Sequence, residues 1–183
     1  MDGLLSFILR VMNARDPYVQ EQSERVAELA LELAGEINLP PVRTSTLEFA
    51  ARIHNIGNIA ISESILHKPG RFTEAEIVMI QQHTILGAKI IEPLKLDPLI
   101  GLTILHHHEN YDGTGYPHKL KAEEIPVEAR ILRIADTYDA LIHPRQYRPA
   151  YSEEAALAIM EESRKCFAPQ LLDAFFKMDS VQA

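Results

Sequence analysis

Apolar residues recur at spacings of three and four along almost the whole chain. No stretch of useful length alternates apolar with polar positions, so the pattern predicts helices and no significant sheet. A first helix is expected from about Leu4 to Ala14. Asp16 and Pro17 open a second, as N-cap and first helical residue. Its buried stripe is Val26, Leu29, Ala30, Leu33 and Ile37, the later four lying three, four, seven and eleven residues beyond Val26. Pro40-Pro41 stops it. A third helix, about Val42 to His54, turns Leu47, Ala50, Ala51 and Ile53 inward and ends at Asn55-Ile56-Gly57. Gly57 suits the left-handed position that follows a helix.

Residues 58–71 read as an irregular connection with a turn at Lys68-Pro69-Gly70. Thr73 and Glu76 then form a capping box. The helix it opens leads to His83, and Ile85, Leu86, Ala88, Ile90 and Ile91 mark another. A strongly apolar helix from about Pro98 to His107 runs into the turn-rich segment Asn110-Tyr111-Asp112-Gly113-Thr114-Gly115-Tyr116-Pro117. Pro126 and Glu128 open a long helix to about Leu141, and two more follow, about Ser152 to Arg164 and Pro169 to Met178. The fold class is all-α, a bundle of about eight or nine helices. No repeat or polar linker divides the chain, so residues 1–183 read as a single domain, with Met1 to Arg15 supplying its leading helix.

Composition narrows the function. With 46% hydrophobic residues in 183, the chain can bury a sizeable core. A net charge of -8 argues against general nucleic-acid binding, which needs a basic face. The amino-terminal apolar run is too short for a membrane span and has no basic flank. The single Cys166 forms no intramolecular disulfide, which fits a reducing compartment. The expectation is a cytoplasmic domain that binds neither nucleic acid nor membrane.

Four of the eight histidines, His54, His83, His107 and His108, lie in or at the ends of predicted helices beside apolar sequence. Histidine is the commonest nitrogen ligand for transition metals. Taken singly, each is more simply explained as a hydrogen-bonded core residue or a solvated helix end. His106 falls on a different helix face, and His67, His118 and His143 are surrounded by turn residues, so these four stand outside the candidate set. Asp136 sits in the apolar stretch Ile131 to Ala140. A carboxylate buried there needs a partner, which a metal ion would provide.

Several pieces, in order, resemble the HD-GYP family, a subgroup of the HD-domain metal-dependent phosphohydrolases. They include Arg15-Asp16-Pro17-Tyr18, Ser23-Glu24-Arg25-Val26, His54-Asn55-Ile56-Gly57-Asn58, His83 and His107-His108-Glu109-Asn110-Tyr111-Asp112-Gly113-Thr114-Gly115-Tyr116-Pro117. Ala135-Asp136-Thr137-Tyr138-Asp139-Ala140-Leu141 and Arg145-Gln146-Tyr147-Arg148 complete the run, which covers about residues 10–178. The resemblance implies an HD-domain-like helical bundle with a two-metal centre that hydrolyses cyclic di-GMP. One metal position would draw on residues aligned with Gln22, His54, Asn55 and Asp136, the other on Asn55, His83, His107 and His108. Arg145 and Arg148 align with phosphate-holding residues, and the Gly115-Tyr116-Pro117 loop lies beside the site.

Three positions depart from the family pattern: a histidine is replaced by Gln22, the defining aspartate by Asn55 and a lysine by Asn58. An aspartate can bridge two cations; asparagine offers one neutral oxygen. The chain therefore reads as a degenerate "HN" variant with no assigned catalytic residue. One divalent transition metal, iron, manganese or zinc, is expected at His83, His107 and His108, or none. The expected function is a regulatory module of bacterial cyclic di-GMP signalling. It would bind that ligand, a related phosphate or a signalling protein such as a diguanylate cyclase. The alternative is a phosphodiesterase of reduced or altered activity using one metal.

Overall fold

A computed structural model describes residues 2–16, 18–144 and 149–182. Among them the chain is helical throughout, without strands. The elements in order are α1 (Asp2–Arg15), α2 (Tyr18–Glu36), α3 (Pro41–Ile53), α4 (Glu63–Leu66), α5 (Glu74–Ile91), α6 (Pro98–His106), α7 (Val127–Ile142), α8 (Glu153–Glu162), α9 (Pro169–Phe175) and α10 (Asp179–Gln182). Short 3-10 turns lie at Ile56–Ala60, Glu92–Leu94, Ala122–Glu124 and Arg164–Cys166.

Local chemistry sets most boundaries as expected. The Tyr18 N–H donates to the Asp16 carboxylate (3.0 Å) at the start of α2. Thr73 and Glu76 form the reciprocal capping box of α5, and Lys68 Nζ lies 2.7 Å from the Glu76 carboxylate. Free backbone N–H groups at these two helix starts thus find side-chain acceptors. Asp97 and Ser152 cap α6 and α8 through their side chains.

Three details differ from the sequence reading. The segment through His83 is one helix, α5, not two; it contains no proline, and its Gly87 packs against Gly57 and Ile56 without breaking the turn. Residues 58–71 hold an ordered 3-10 turn and the short α4. Gly57 is not left-handed, since the positive-φ glycines are Gly70 and Gly113. It is glycine because a Cβ there would collide with the backbone of His83 and Gly87. That close approach seats the Ile56–Ala60 turn directly on α5.

Two apolar clusters hold the bundle. One joins α2, α3, α7, α8 and α9 through residues such as Val26, Leu33, Leu47, Ile134, Tyr138 and Phe175. The other joins α1, α3 and α6 through Ile8, Met12, Phe49, Ile53, Ile100 and Ile104. Arg25 pairs with buried Asp139 (2.7 Å) and Arg43 with buried Glu128 (2.6 Å), fixing α2 and α3 against α7. Removing Arg43 would strip the buried Glu128 carboxylate of its ion-pair partner, whereas Asp139 would keep His143 at 3.1 Å.

Candidate metal centre

The stripes that build the core also deliver the candidate ligands. In α6, Ile100, Thr103, Ile104 and His107 fall at successive offsets of three, one and three on the buried face. Leu47, Ala50, Ala51 and His54 repeat that spacing along α3 and past its end. His54 and His107 have no exposed surface, His83 is buried, and His108 is half-buried.

In three of these rings Nδ1 faces a carbonyl three residues back: His54 to Ala51 (2.7 Å), His83 to Ile80 (2.8 Å) and His107 to Ile104 (2.7 Å). A carbonyl only accepts, so Nδ1 carries the proton and the neutral ring presents Nε2 as a lone pair. That is the arrangement that orients an imidazole for metal ligation. His83 Nε2 and His107 Nε2 stand 3.4 Å apart. Two lone pairs at that separation have no hydrogen to share, yet two nitrogens at roughly 2.0–2.1 Å from one tetrahedral ion are spaced by roughly 3.3–3.4 Å. His83, His107 and His108 bring ligand atoms within 4.8 Å of one another and could hold a metal ion.

Electrostatics agree with neutral rings. Burial lowers the pKa of His107 and His108 well below the ordinary imidazole value, and neighbouring histidines lower His107 further. Burial lowers His83 too, against the Ile80 carbonyl, which raises it. For Asp136 burial alone would favour the acid. The His54 imidazole, and then those of His108 and His107, would lower the carboxyl only when protonated; with the rings neutral, its Oδ1 accepts from the Gln22 amide instead.

The other half of the predicted site is bonded differently. Asn55 Nδ2 donates to His54 Nε2 (2.8 Å), and Gln22 Nε2 donates to Asp136 Oδ1 (3.4 Å). His54 Nε2 and Asp136 Oδ1 are 3.6 Å apart, too far for a direct hydrogen bond. Two carboxamides therefore occupy the two acceptors that a cation would otherwise meet.

These residues floor a groove of about 480 Å³ lined by Gln22, Asn55, Asn58, His83, His108 and Asp136, with Tyr116 and Arg133 on its walls. Tyr116 stacks on His108 with centroids 4.9 Å apart, and its N–H donates to the His108 carbonyl (3.2 Å). Gly115 makes this possible, since a Cβ there would strike the backbone of 108–110. Burial pushes the Tyr116 phenol up from its ordinary value. Pro117 follows through a cis bond and is half-buried. Arg145 and Arg148 lie outside the described residues.

Arg133 was not in the sequence-derived set. Its guanidinium is held by Asn110 Oδ1 (3.0 Å) and Thr137 Oγ1 (2.8 Å) at the groove wall. The available signal was a cation one helical turn before Asp136 in an otherwise apolar stretch. His106 and His118 were also set aside from sequence. They meet Glu109 in a second cluster, His106-Glu109-His118, whose ligand atoms again lie within 4.8 Å of one another.

A family model described as an HD domain matches residues 7–171, and the chain belongs to that family. It is 37% identical over 188 residues to a cyclic di-GMP phosphodiesterase of Thermotoga maritima, covering 97% of this chain and 50% of that protein. A 3'3'-cGAMP-specific phosphodiesterase of Vibrio cholerae is 38% identical over 167 residues, covering 87% of this chain and 36% of that one. Among solved structures, an HDGYP protein from Bdellovibrio bacteriovorus superimposes with a TM-score of 0.74 at 21% identity, over 90% of this chain and 53% of that one. The chain spans about half the length of the first curated relatives it matches. No helix among the described residues is long and apolar enough to cross a membrane.

Proposed function

We propose that this HD domain acts on a cyclic dinucleotide through one divalent metal ion held by His83, His107 and His108, as a phosphodiesterase weaker than a two-metal enzyme. One observation carries it: the His83 and His107 Nε2 lone pairs stand 3.4 Å apart, each ring fixed by its own backbone carbonyl. A divalent ion bound there would supply Lewis acidity toward the phosphodiester and a lowered pKa for water. The donor set, three imidazoles, fits a borderline ion such as zinc or iron(II) better than the harder manganese(II).

The chain's own groups supply the rest. Arg133, pre-oriented by Asn110 and Thr137, is placed to pair with a phosphate at the groove wall. Asp136 presents its carboxylate at the groove, with Oδ1 accepting from Gln22. Tyr116 braces His108 from the loop side. The relatives that act on cyclic di-GMP or 3'3'-cGAMP support the ligand class.

A second reading rests on a different observation. The Asn55 and Gln22 amides already satisfy His54 and Asp136, which favours an incomplete centre in a regulatory module that binds its ligand, or a cyclase-type partner, without cutting. Elemental analysis of the purified domain, calorimetry with cyclic di-GMP and chromatography of the incubated nucleotide separate the two. About one equivalent of transition metal with slow turnover supports the enzyme. Binding without turnover supports the regulator, and protein that takes up no transition metal ends the enzymatic reading.

A further inference from the structure

Outside the groove, the ring of His106 is held unlike those of His54, His83 and His107. Its Nδ1 does not reach a carbonyl of its own helix; it is buried and has no hydrogen-bond partner. The residue is only 6% exposed, so water does not compensate it, and a buried polar atom left unpaired is costly. Nδ1 points toward Glu109 Oε1 at 3.7 Å, too long for a hydrogen bond. It is close to the spacing of a nitrogen and an oxygen on one ion, each at roughly 2.0–2.2 Å.

Glu109 is built into the position. It is 1% exposed, its Oε1 accepts from the His118 N–H (2.7 Å) and its Oε2 from the Leu120 N–H (3.1 Å). Each carboxylate oxygen keeps a further lone pair. The same two hydrogen bonds draw the strand of loop after Pro117 back onto the end of α6. The His118 ring thereby sits 5.3 Å from that of His106 at 56°, on the solvent side of the cluster. His106 and His107 are consecutive, so their side chains diverge by about 100° around the helix. The two histidine sets therefore face different ways.

We propose that His106, Glu109 and His118 form a second metal site, for a divalent transition ion of the zinc class, that clamps the loop following Gly115-Tyr116-Pro117 to the end of α6. Two imidazoles and one carboxylate are a three-ligand set that leaves a fourth position for water. His118 is exposed and provides the entry path. The site is peripheral to the groove and does not rest on the function proposed above. Its ion would hold the loop whose Tyr116 stacks on His108.

The test is metal titration of the chelator-stripped full chain with zinc by calorimetry and with cobalt(II) by visible absorption. His118→Ala changes an exposed ring and leaves Glu109 and its backbone bonds in place. It is expected to remove one equivalent of bound ion and weaken the remaining association at that set at least ~100-fold. His83→Ala, which dismantles the groove cluster, is expected to keep that same equivalent. If the groove holds no metal, His83→Ala changes nothing while His118→Ala still abolishes uptake, so the two proposals fail separately. Equal uptake by the parent and His118→Ala, or no uptake by His83→Ala protein at millimolar zinc, overturns the second site.

Discussion

On one side of the groove His54 and Asp136 each accept a hydrogen bond from a carboxamide, Asn55 and Gln22. On the other, His83 and His107 bring two lone pairs to 3.4 Å with no donor between them. Both sides use rings fixed by a backbone carbonyl, and both lie on the buried faces of helices. They differ only in whether a neighbouring side chain supplies N–H. A polar group inside a protein needs some partner, and the comparison shows two ways of providing one. The amide side is complete within the chain. Under the one-metal proposal, a cation would complete the imidazole side.

The largest expected effect comes from removing a ring on the open side. His107→Ala should abolish retention of groove metal through dialysis, measured by elemental analysis. It should also remove the part of the metal-dependent rise in Tm that the groove ion supplies. At a metal concentration 100 times Kd that rise corresponds to about 2.7 kcal/mol, or roughly 5–10 °C for a chain of this size. Unchanged metal content and an unchanged rise would place the ion elsewhere.

An intermediate effect is expected on the closed side. Asn55→Asp withdraws the donor from His54 and adds a carboxylate to the groove that holds Asp136. Without metal it should cost about 1–3 kcal/mol in urea unfolding, and divalent manganese should restore most of the loss. Adding Gln22→His and Asn58→Lys should raise groove metal by a second equivalent. A metal-free Asn55→Asp protein as stable as the parent would show that the amide does not stand in for a cation.

Weaker still is Tyr116→Ala, which removes the ring stacked on His108. Metal affinity at the three histidines should fall by about 10-fold, read by competition with a chromogenic chelator. No change would limit Tyr116 to the groove wall.

The smallest effect lies remote from both sides. Glu76 holds the Thr73 cap and Lys68, and those contacts, Lys68 foremost, lower its carboxyl from 4.5 to about 2. A depressed folded-state pKa contributes stability that is fully present above about pH 4.5 and is lost as pH falls through about 2. Glu76→Gln should therefore lower Tm by roughly 1–3 °C at pH 7 and by much less near pH 2. Metal content should not change. A Tm difference that persists undiminished at pH 2 would mean that charge is not the cause.

Much of this was legible in the sequence because it depends on neighbours within a few turns. Helix period, the Asp16 and Thr73 caps and the i, i+3, i+4, i+7 placement of His54 and His107 are all local. The same periodicity put Asp136 on a buried face. The constraint on Gly57 comes from α5, some thirty residues on, and not from its own backbone angles, so no local pattern reveals it. Arg133 was overlooked because an arginine flanking an apolar stripe usually faces solvent; only the seating of Asn110 beside α7 turns it to the groove.

What the sequence alone determined is the all-helical bundle, its order of elements and the identity of the side chains available to bind. Tertiary structure decided which of them meet. Asn55 lies beside His54 in the chain, but that its amide takes the Nε2 lone pair depends on how the Ile56–Ala60 turn seats against α5. Gln22 reaches Asp136 across 114 residues. His118 joins His106 only because two backbone N–H groups of the loop find the buried Glu109 carboxylate. Local pattern sets the direction of a side chain along its own helix, while a lone pair's partner is set by whatever the packed chain brings to within 3 Å of it.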